Sequence, residues 1–184
     1  MHDLANPAAE VRPLLRVRQM REFTDDRVSK DELEAIADVA RWSGSSSNSQ
    51  PWRFLLIDDR ETLHALADAG MPQTRGLQTA AAAIAVVLPD EQGKAVSHAY
   101  DEGRAVERIM IAANTLGLGA GLSWALPGAR ERIQSILGIP AGRMVRTIVA
   151  VGHPTEAARR PKSEPGKGRL PRNEVVFEGR WPKG

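Results

Sequence analysis

Residues 40–54 read Ala-Arg-Trp-Ser-Gly-Ser-Ser-Ser-Asn-Ser-Gln-Pro-Trp-Arg-Phe and lie between two apolar patterns. Residues 43–51 have no hydrophobic period, and their polar side chains can hydrogen-bond to their own backbone, so this segment is predicted to be a loop. Before the loop, the capping box Ser29-Lys-Asp-Glu32 and the apolar spacing after it predict a helix that ends at about Trp42. After the loop, residues 52–57 predict a strand.

The rest of the chain continues this alternation of helices and strands. The apolar patterns predict a helix at 61–69, a buried strand at 84–88, a long helix at 94–116, a helix at 129–137 and a strand at 144–151. We therefore expect one α+β domain over residues 1–184, with an N-terminal tail at 1–13 and a C-terminal extension at 153–184. The extension includes Glu174-Val-Val-Phe177, which has strand propensity.

The composition narrows the class of protein. The chain has 184 residues, 42% of them hydrophobic, and no Cys, which excludes disulfides, thiolate metal sites and a cysteine nucleophile. No apolar run approaches the roughly 18–20 residues of a membrane span, and the first residues are neither basic nor continuously apolar. We expect a cytoplasmic protein that binds no membrane.

Positive charge is concentrated near the C-terminus. The formal net charge is only +2, yet residues 153–184 contain eight Lys or Arg against four Glu. Near the N-terminus, Arg18 and Arg21 are three residues apart, which on one helical turn would place both guanidinium groups on the same side. With the serine-rich loop and Lys167-Gly-Arg169, they predict a cationic pocket for a phosphate joined to a flat, polar group. Each segment by itself is more typical of solvated surface than of a binding site.

Several common sites are absent from the sequence. The four histidines lack metal-ligand spacing, so no metal site is expected. Gly117-Leu-Gly-Ala-Gly-Leu122 has Leu122 where the G-x-G-x-x-G dinucleotide fingerprint has its third glycine, and it follows a helix instead of a strand. There is no G-x-S-x-G elbow and no Walker loop, so acyl and phosphoryl transfer lack support.

A series of motifs in a fixed order covers the chain from about Arg16 to Trp181. They are Arg18-x-x-Arg21-x-Phe23, Ser47-Asn-Ser-Gln-Pro-Trp52, Asp101-Glu-Gly-Arg-Ala105, Ala112-Ala-Asn-Thr-Leu-Gly-Leu-Gly119, Leu137-Gly-Ile-Pro140, Val149-Ala-Val-Gly-His-Pro154 and Lys167-Gly-Arg-Leu-Pro-Arg-Asn-Glu174. This set resembles the FMN-dependent nitroreductase family. The resemblance implies a nitroreductase-like α+β fold, in which helices flank a mainly antiparallel or mixed sheet and the C-terminal extension wraps a partner subunit.

The same resemblance implies an activity. It predicts a homodimer with FMN at the subunit interface, which passes hydride from NADH or NADPH through the flavin to an electrophilic acceptor such as a nitroaromatic or a quinone. Two alternatives remain. One is a flavin-binding or storage protein with little turnover. The other is a nucleic-acid binder that uses the basic tail, which is disfavoured because the tail has few aromatic residues and the rest of the chain is net acidic.

The resemblance also assigns roles to residues. The FMN phosphate would be bound by Arg18, Gln19, Lys167 and Arg169. The flavin ring and ribityl chain would be approached, usually from the partner subunit, by Ser45, Ser46 and Asn48. The flavin pyrimidine and N5 would lie near Leu122, Ser123 and Trp124. Arg21 would act as the catalytic residue, because a cation beside the flavin N1 and C2 carbonyl stabilises the negative charge of the reduced ring.

The sequence departs from the family pattern in places that bear on this site. Gln19 stands where Ser is usual, and Val17 where many members have another Arg, which removes one phosphate contact. Gly44 replaces a common Pro before the serines. The link from Leu88 to the long helix is short, so any helical lid over the flavin is expected to be reduced.

Overall fold

A computed structural model describes residues 6–160, 163 and 168–182. The helices in these residues are α1 (Pro7–Val11), α2 (Lys30–Arg41), α3 (Arg60–Ala67), α4 (Arg75–Thr79), α5 (Ala95–Thr115), α6 (Pro127–Leu137), α7 (Glu156–Arg159) and α8 (Arg172–Val175). The strands are β1 (Arg53–Ile57), β2 (Ala82–Pro89), β3 (Gly119–Trp124) and β4 (Arg143–Gly152). The long helices and the strands predicted at 52–57, 84–88 and 144–151 are all present.

The strands form one antiparallel sheet in the order β1-β2-β4-β3, so β1 and β3 are its edges. Helices cover both faces, α2 and α5 on one and α3, α4 and α6 on the other, so the two central strands are buried on both sides. Alternate residues of β2 accordingly belong to different core clusters. The predicted α+β fold with a mainly antiparallel sheet is confirmed.

The capping box begins α2 as predicted. Ser29 Oγ accepts from the backbone N–H of Glu32 at 3.2 Å, and the Glu32 carboxylate accepts from the backbone N–H of Ser29 at 2.8 Å. The hydrogen bond with the Ser29 side chain is the main cause that lowers the pKa of Glu32. The helix then buries Leu33 and Ile36 against the sheet and α5, which fixes where the following loop emerges.

Residues 18–23, called the crossing segment below, are extended instead of helical. The backbone N–H of Met20 donates to Ala120 O at 2.9 Å, and Phe23 forms a β-bridge with Pro154. Because residues three apart in an extended chain point to opposite sides, the prediction that Arg18 and Arg21 share one side of a helical turn was wrong. The edge of β3 supplies backbone partners that the local sequence does not reveal.

The glycines of β3 make room for the crossing segment. A Cβ on Gly121 would collide with the backbone carbonyl oxygen of Met20, and one on Gly119 would lie 2.8 Å from Met20 Sδ. Neither glycine has a positive φ, so both are needed for space and not for an unusual backbone conformation. Gly119 and Gly121 therefore form a packing surface for the crossing segment.

In the C-terminal extension, a short helix overlaps the segment with strand propensity. Arg172–Val175 is helix α8, and this helix overlaps Glu174–Phe177. Val176 and Phe177 lie exposed after it, and the Phe177 ring meets the Trp181 ring edge-on at 5.1 Å between centroids. Among the described residues of the single chain, no strand pairs with this segment, and a strand requires such a partner. In the described residues, no helix is both long and apolar enough to cross a membrane.

Candidate functional site

The crossing segment joins two of the predicted cofactor residues. Gln19 Oε1 accepts a hydrogen bond from the backbone N–H of Leu122 at 2.9 Å, one residue before Met20 pairs with Ala120. This contact is possible because β3 is an edge strand, whose outward N–H groups have no neighbouring strand to bind. The structure thus brings Gln19 and Leu122 together, as expected of residues that serve one site.

A second contact joins Arg21 to Ser123 through a residue that sequence reasoning missed. Arg21 Nη2 donates to Gln73 Oε1 at 2.7 Å, and the Ser123 hydroxyl donates to the backbone oxygen of Gln73 at 3.2 Å. Gln73 has a φ of 64°, which is uncommon for a residue other than glycine. In the sequence, Gln73 is only a polar residue in the turn between α3 and α4, and such a residue is not specific to any function.

Arg21 also has a donor left over. Its Nε is buried and has no hydrogen-bond partner within the part of the chain that the structure describes. A buried donor without an acceptor is unfavourable by about 1–3 kcal/mol, so such atoms commonly face a ligand or a water molecule. At the end of the adjacent strand, Trp124 is 52% exposed. The site therefore combines an unpaired cationic donor with an accessible aromatic ring.

Arg18 is held by the first residues of the C-terminal extension. Its guanidinium donates to the carbonyl oxygens of Ala158 at 2.7 Å, Arg160 at 3.3 Å and Arg159. The segment around Arg18 and residues 158–160 are thus in contact. Of the other predicted phosphate residues, Lys167 lies outside the described residues, and the hydrogen bond found for exposed Arg169 goes to its neighbour Gly168.

Residues 43–51, called the serine loop below, are fixed on α5. The backbone N–H of Ser46 donates to both carboxylate oxygens of Asp101, at 3.1 Å each, and the backbone N–H of Gln50 donates to Ser45 Oγ at 2.9 Å. Three residues of the loop have left-handed backbone conformations, with φ of 51° at Ser47, 52° at Asn48 and 47° at Gln50. Non-glycine residues in such conformations concentrate at functional sites.

The two groups of predicted residues are separate within one chain. Met20 and Phe23 of the crossing segment pack with the α3, α4 and α6 side of the sheet, whereas Ser46 is bound to α5 on the other side. Among the residues described, no hydrogen bond joins the serine loop to the crossing segment. The structure therefore gathers Gln19, Arg21, Leu122 and Ser123, and holds Ser45, Ser46 and Asn48 elsewhere.

Beside Asp101, α5 buries a second carboxylate. Glu102 Oε2 lies 3.8 Å from Arg146 Nη1, while Glu102 Oε1 has no partner in the described structure. Burial is the main cause that raises the pKa of Glu102, and Thr147 and Arg146 partly oppose it. Arg146 is the extra residue of a β-bulge in β4, which aims its side chain toward this helix. Within the described ranges, no group of three or more His, Asp or Glu residues could hold a metal ion.

Comparisons with known proteins identify the family and relatives of the chain. The model of the nitroreductase family matches residues 16–102. A protein of Archaeoglobus fulgidus named for NADH dehydrogenase or NAD(P)H nitroreductase activity is 31% identical over an alignment of 148 residues, and the alignment covers 76% of this chain and 82% of that protein. The NADPH-flavin oxidoreductase of Vibrio harveyi is 24% identical over an alignment of 184 residues, which covers 93% of this chain and 74% of that protein.

The fold is also similar to solved structures. An FMN-dependent nitroreductase of Clostridium difficile superposes with a TM-score of 0.74 at 24% sequence identity. The superposition covers 91% of this chain and 98% of the other one, so nearly the whole of both chains shares one architecture.

Proposed function

Since the chain belongs to the nitroreductase family of oxidoreductases, we propose that it binds FMN and passes hydride from NADH or NADPH through the flavin to an electrophilic acceptor such as a nitroaromatic or a quinone. The names of two relatives, an NADPH-flavin oxidoreductase and an FMN-dependent nitroreductase, support both cofactors. The observation that carries the proposal is the buried Nε of Arg21, which lies beside Gln73 and Ser123 and has no hydrogen-bond partner among the residues that the structure describes.

The residues around Arg21 fit a flavin ring. The ring has a polar edge that accepts hydrogen bonds, and Arg21 offers a fixed donor and a positive charge where a carbonyl or a negatively charged nitrogen would lie. Gln73 holds the other end of the same guanidinium, which fixes its orientation. The bound flavin supplies the hydride chemistry, so the protein needs mainly to bind, orient and stabilise charge.

The protein's own contribution to catalysis is electrostatic. Arg21 stabilises negative charge on the reduced cofactor, because a cation held in place before the reaction needs no rearrangement during it. Gln19 and the backbone at Leu122 shape the adjacent edge of β3, and Ser123 and Trp124 continue that edge. Because the flavin carries the hydride chemistry, this arrangement requires no general base from the protein.

The phosphate of FMN would be bound by Arg18, Gln19, Lys167 and Arg169. Arg18 has five N–H donors, of which the described contacts to residues 158–160 use only part, so it can bind a phosphate oxygen and still contact the extension. Two or more cations match the charge of about −1.5 to −2 that a phosphate monoester carries near pH 7.

A second copy of the chain would complete the site. The serine loop is turned away from Arg21 in its own subunit, so Ser45, Ser46 and Asn48 reach a flavin most directly from a partner. Exposed apolar side chains on α5, with Tyr100 74% exposed, and along the C-terminal extension supply a surface for such a partner to cover. We therefore propose a homodimer with FMN between its subunits, in which the C-terminal extension wraps the partner.

The experiment that tests the proposal is reconstitution of the purified protein with excess FMN, followed by desalting and anaerobic addition of NADH or NADPH. We expect a yellow protein whose flavin absorbance is bleached within the time of an assay. A protein that remains colourless after desalting would overturn the proposal. Flavin that binds but is reduced only over hours would instead support a storage protein.

Variants of Arg18 and Arg169 test whether these residues bind the phosphate of FMN. Arg169→Ala and Arg18→Ala should each weaken FMN binding about ten- to a hundredfold, the value of a charge-assisted hydrogen bond of ~1.5–3 kcal/mol. Arg132→Ala, which removes an exposed guanidinium from α6, is the matched control and should bind FMN as the unmodified protein does. Unchanged affinity in both test variants would place the phosphate elsewhere.

A further inference from the structure

We propose that Asp101 is a positioning residue, whose buried carboxylate holds the serine loop in the conformation that presents Ser45 and Asn48 to FMN. The inference rests on the proposed function, because it assigns a purpose to a contact that the FMN site would need. Asp101 acts through the loop backbone and does not itself touch the cofactor.

The contact is strong and specific. Asp101 is only 3% exposed, and both of its carboxylate oxygens lie 3.1 Å from the backbone nitrogen of Ser46. Hydrogen bonds to an ionised acceptor are about twice as strong as neutral ones. Among the salt bridges of the described residues, none includes Asp101, so its charge is directed at the loop backbone instead of at a basic side chain.

The loop has no comparable hydrogen bond elsewhere in the described structure. Its remaining hydrogen bonds stay within the loop or go to Ala40 and Arg53, at its two ends in the sequence. A left-handed conformation is unfavourable by about 1–2 kcal/mol for a residue other than glycine, with asparagine less affected, and the loop contains three such residues. An outside anchor is therefore needed to keep this conformation populated.

A second contact with the same helix supports the anchor. Gly44 lies against the guanidinium group of Arg104, so closely that a Cβ on Gly44 would collide with it. Asp101 and Arg104 are three residues apart on α5 and therefore lie on one face of the helix. Gly44 and the backbone N–H of Ser46 thus both contact side chains on that face of α5. The helix therefore supports the loop at two positions.

The test compares Asp101→Asn and Asp101→Ala with Glu131→Gln, which neutralises an exposed carboxylate on α6. Amide hydrogen exchange of residues 43–52 is measured without added FMN, and the FMN dissociation constant is measured on the folded protein at low temperature. We expect Asp101→Ala to exchange these amides at least about tenfold faster and to bind FMN about tenfold or more weakly. The control should match the unmodified protein in both measurements.

The conservative variant separates positioning from simple stability. The amide oxygen of Asp101→Asn can still accept from Ser46, so its FMN affinity should lie between those of the unmodified protein and the Ala variant. If Asp101→Ala does not fold, the test rests on Asp101→Asn, which should bind FMN several-fold more weakly than the unmodified protein. If the unmodified protein and the Asp101 variants bind FMN equally well, the role given to Asp101 is wrong, but the proposed function still holds. An unmodified protein that does not bind FMN overturns the proposed function.

Discussion

The glycine run at residues 117–121 and the serine loop at residues 43–51 are both rich in small residues, but their backbones differ in an instructive way. Gly119 and Gly121 have strand conformations and are small because the crossing segment lies against them. The serine loop has left-handed conformations at Ser47 and two other positions, and none of the three residues is glycine. Glycine is the residue that adopts this conformation without a steric penalty. Gly119 and Gly121 are therefore small because the crossing segment needs the space beside them. In the serine loop, by contrast, residues with hydrogen-bonding side chains are present where the backbone alone would favour glycine.

The largest effect is expected for Gly121→Ala, which tests whether the glycine run is needed for space. The added methyl would meet the carbonyl oxygen of Met20, which cannot move away without disturbing the Met20–Ala120 hydrogen bond. We expect a loss of about 3 kcal/mol in the free energy of unfolding, at the upper end for overpacking. Urea denaturation of the protein without FMN measures this loss.

The matched control is Gly128→Ala, at a glycine of α6 with nothing within 4 Å of an added Cβ. Because alanine has the better helix propensity, this change should be neutral or stabilising by up to about 1 kcal/mol. Equal stabilities of the two variants would contradict the role given to the crossing of Met20 over Gly121.

The contrast between the two segments also shows how far the sequence could lead. The capping box at Ser29 and the apolar period after it predicted α2 to within about a residue at each end, because both signals are local. The crossing segment could not be predicted, since its conformation depends on Ala120 and Pro154, more than a hundred residues away in the chain. Local signals identify elements, whereas pairing at an open sheet edge is decided by the assembled fold.

The sequence predicted residues of the candidate site but not the groups that contact those residues. The motifs singled out Arg18 and Arg21, but the carbonyl oxygens that Arg18 contacts and the amide that orients Arg21 have no sequence signature. Gln73 was missed because a single polar residue in a turn is unremarkable until its φ of 64° and its two contacts are known. Sequence motifs therefore predicted candidate binding residues such as Arg21 more readily than the residues that orient them, such as Gln73.

A smaller effect should come from Glu102→Gln, which probes the helix that supports the serine loop. Burial raises the pKa of Glu102 above its ordinary 4.5, so the folded protein holds this proton more tightly than the unfolded chain does. The contribution of Glu102 to stability is therefore greatest below pH 4.5 and declines as the pH rises through the raised pKa. Because Gln cannot ionise, the melting temperature of the variant relative to the unmodified protein should increase from pH 4 to pH 8.

Glu32→Gln is the control with the opposite sign. Its hydrogen bond with the Ser29 side chain lowers the pKa of Glu32, so the stability that Glu32 contributes is present above its ordinary pKa and lost as the pH falls. The Gln variant should thus become relatively less stable as the pH rises. Parallel pH profiles for the two variants would show that Glu102 is not held in the buried environment described for α5.

The smallest effect is expected for Ser47→Gly, which asks whether the serine loop is strained. Glycine relieves the left-handed conformation at Ser47 but gains more freedom in the unfolded chain, so the two effects largely offset each other. We expect a net stabilisation of about 0.5 kcal/mol without FMN. Ser49→Gly, at a φ of −69° in the same loop, relieves no strain and should be destabilising by about 0.5–1 kcal/mol. If urea denaturation gives both variants the same stability, the left-handed residues are not under strain, and the loop needs no anchor on α5 to keep its conformation.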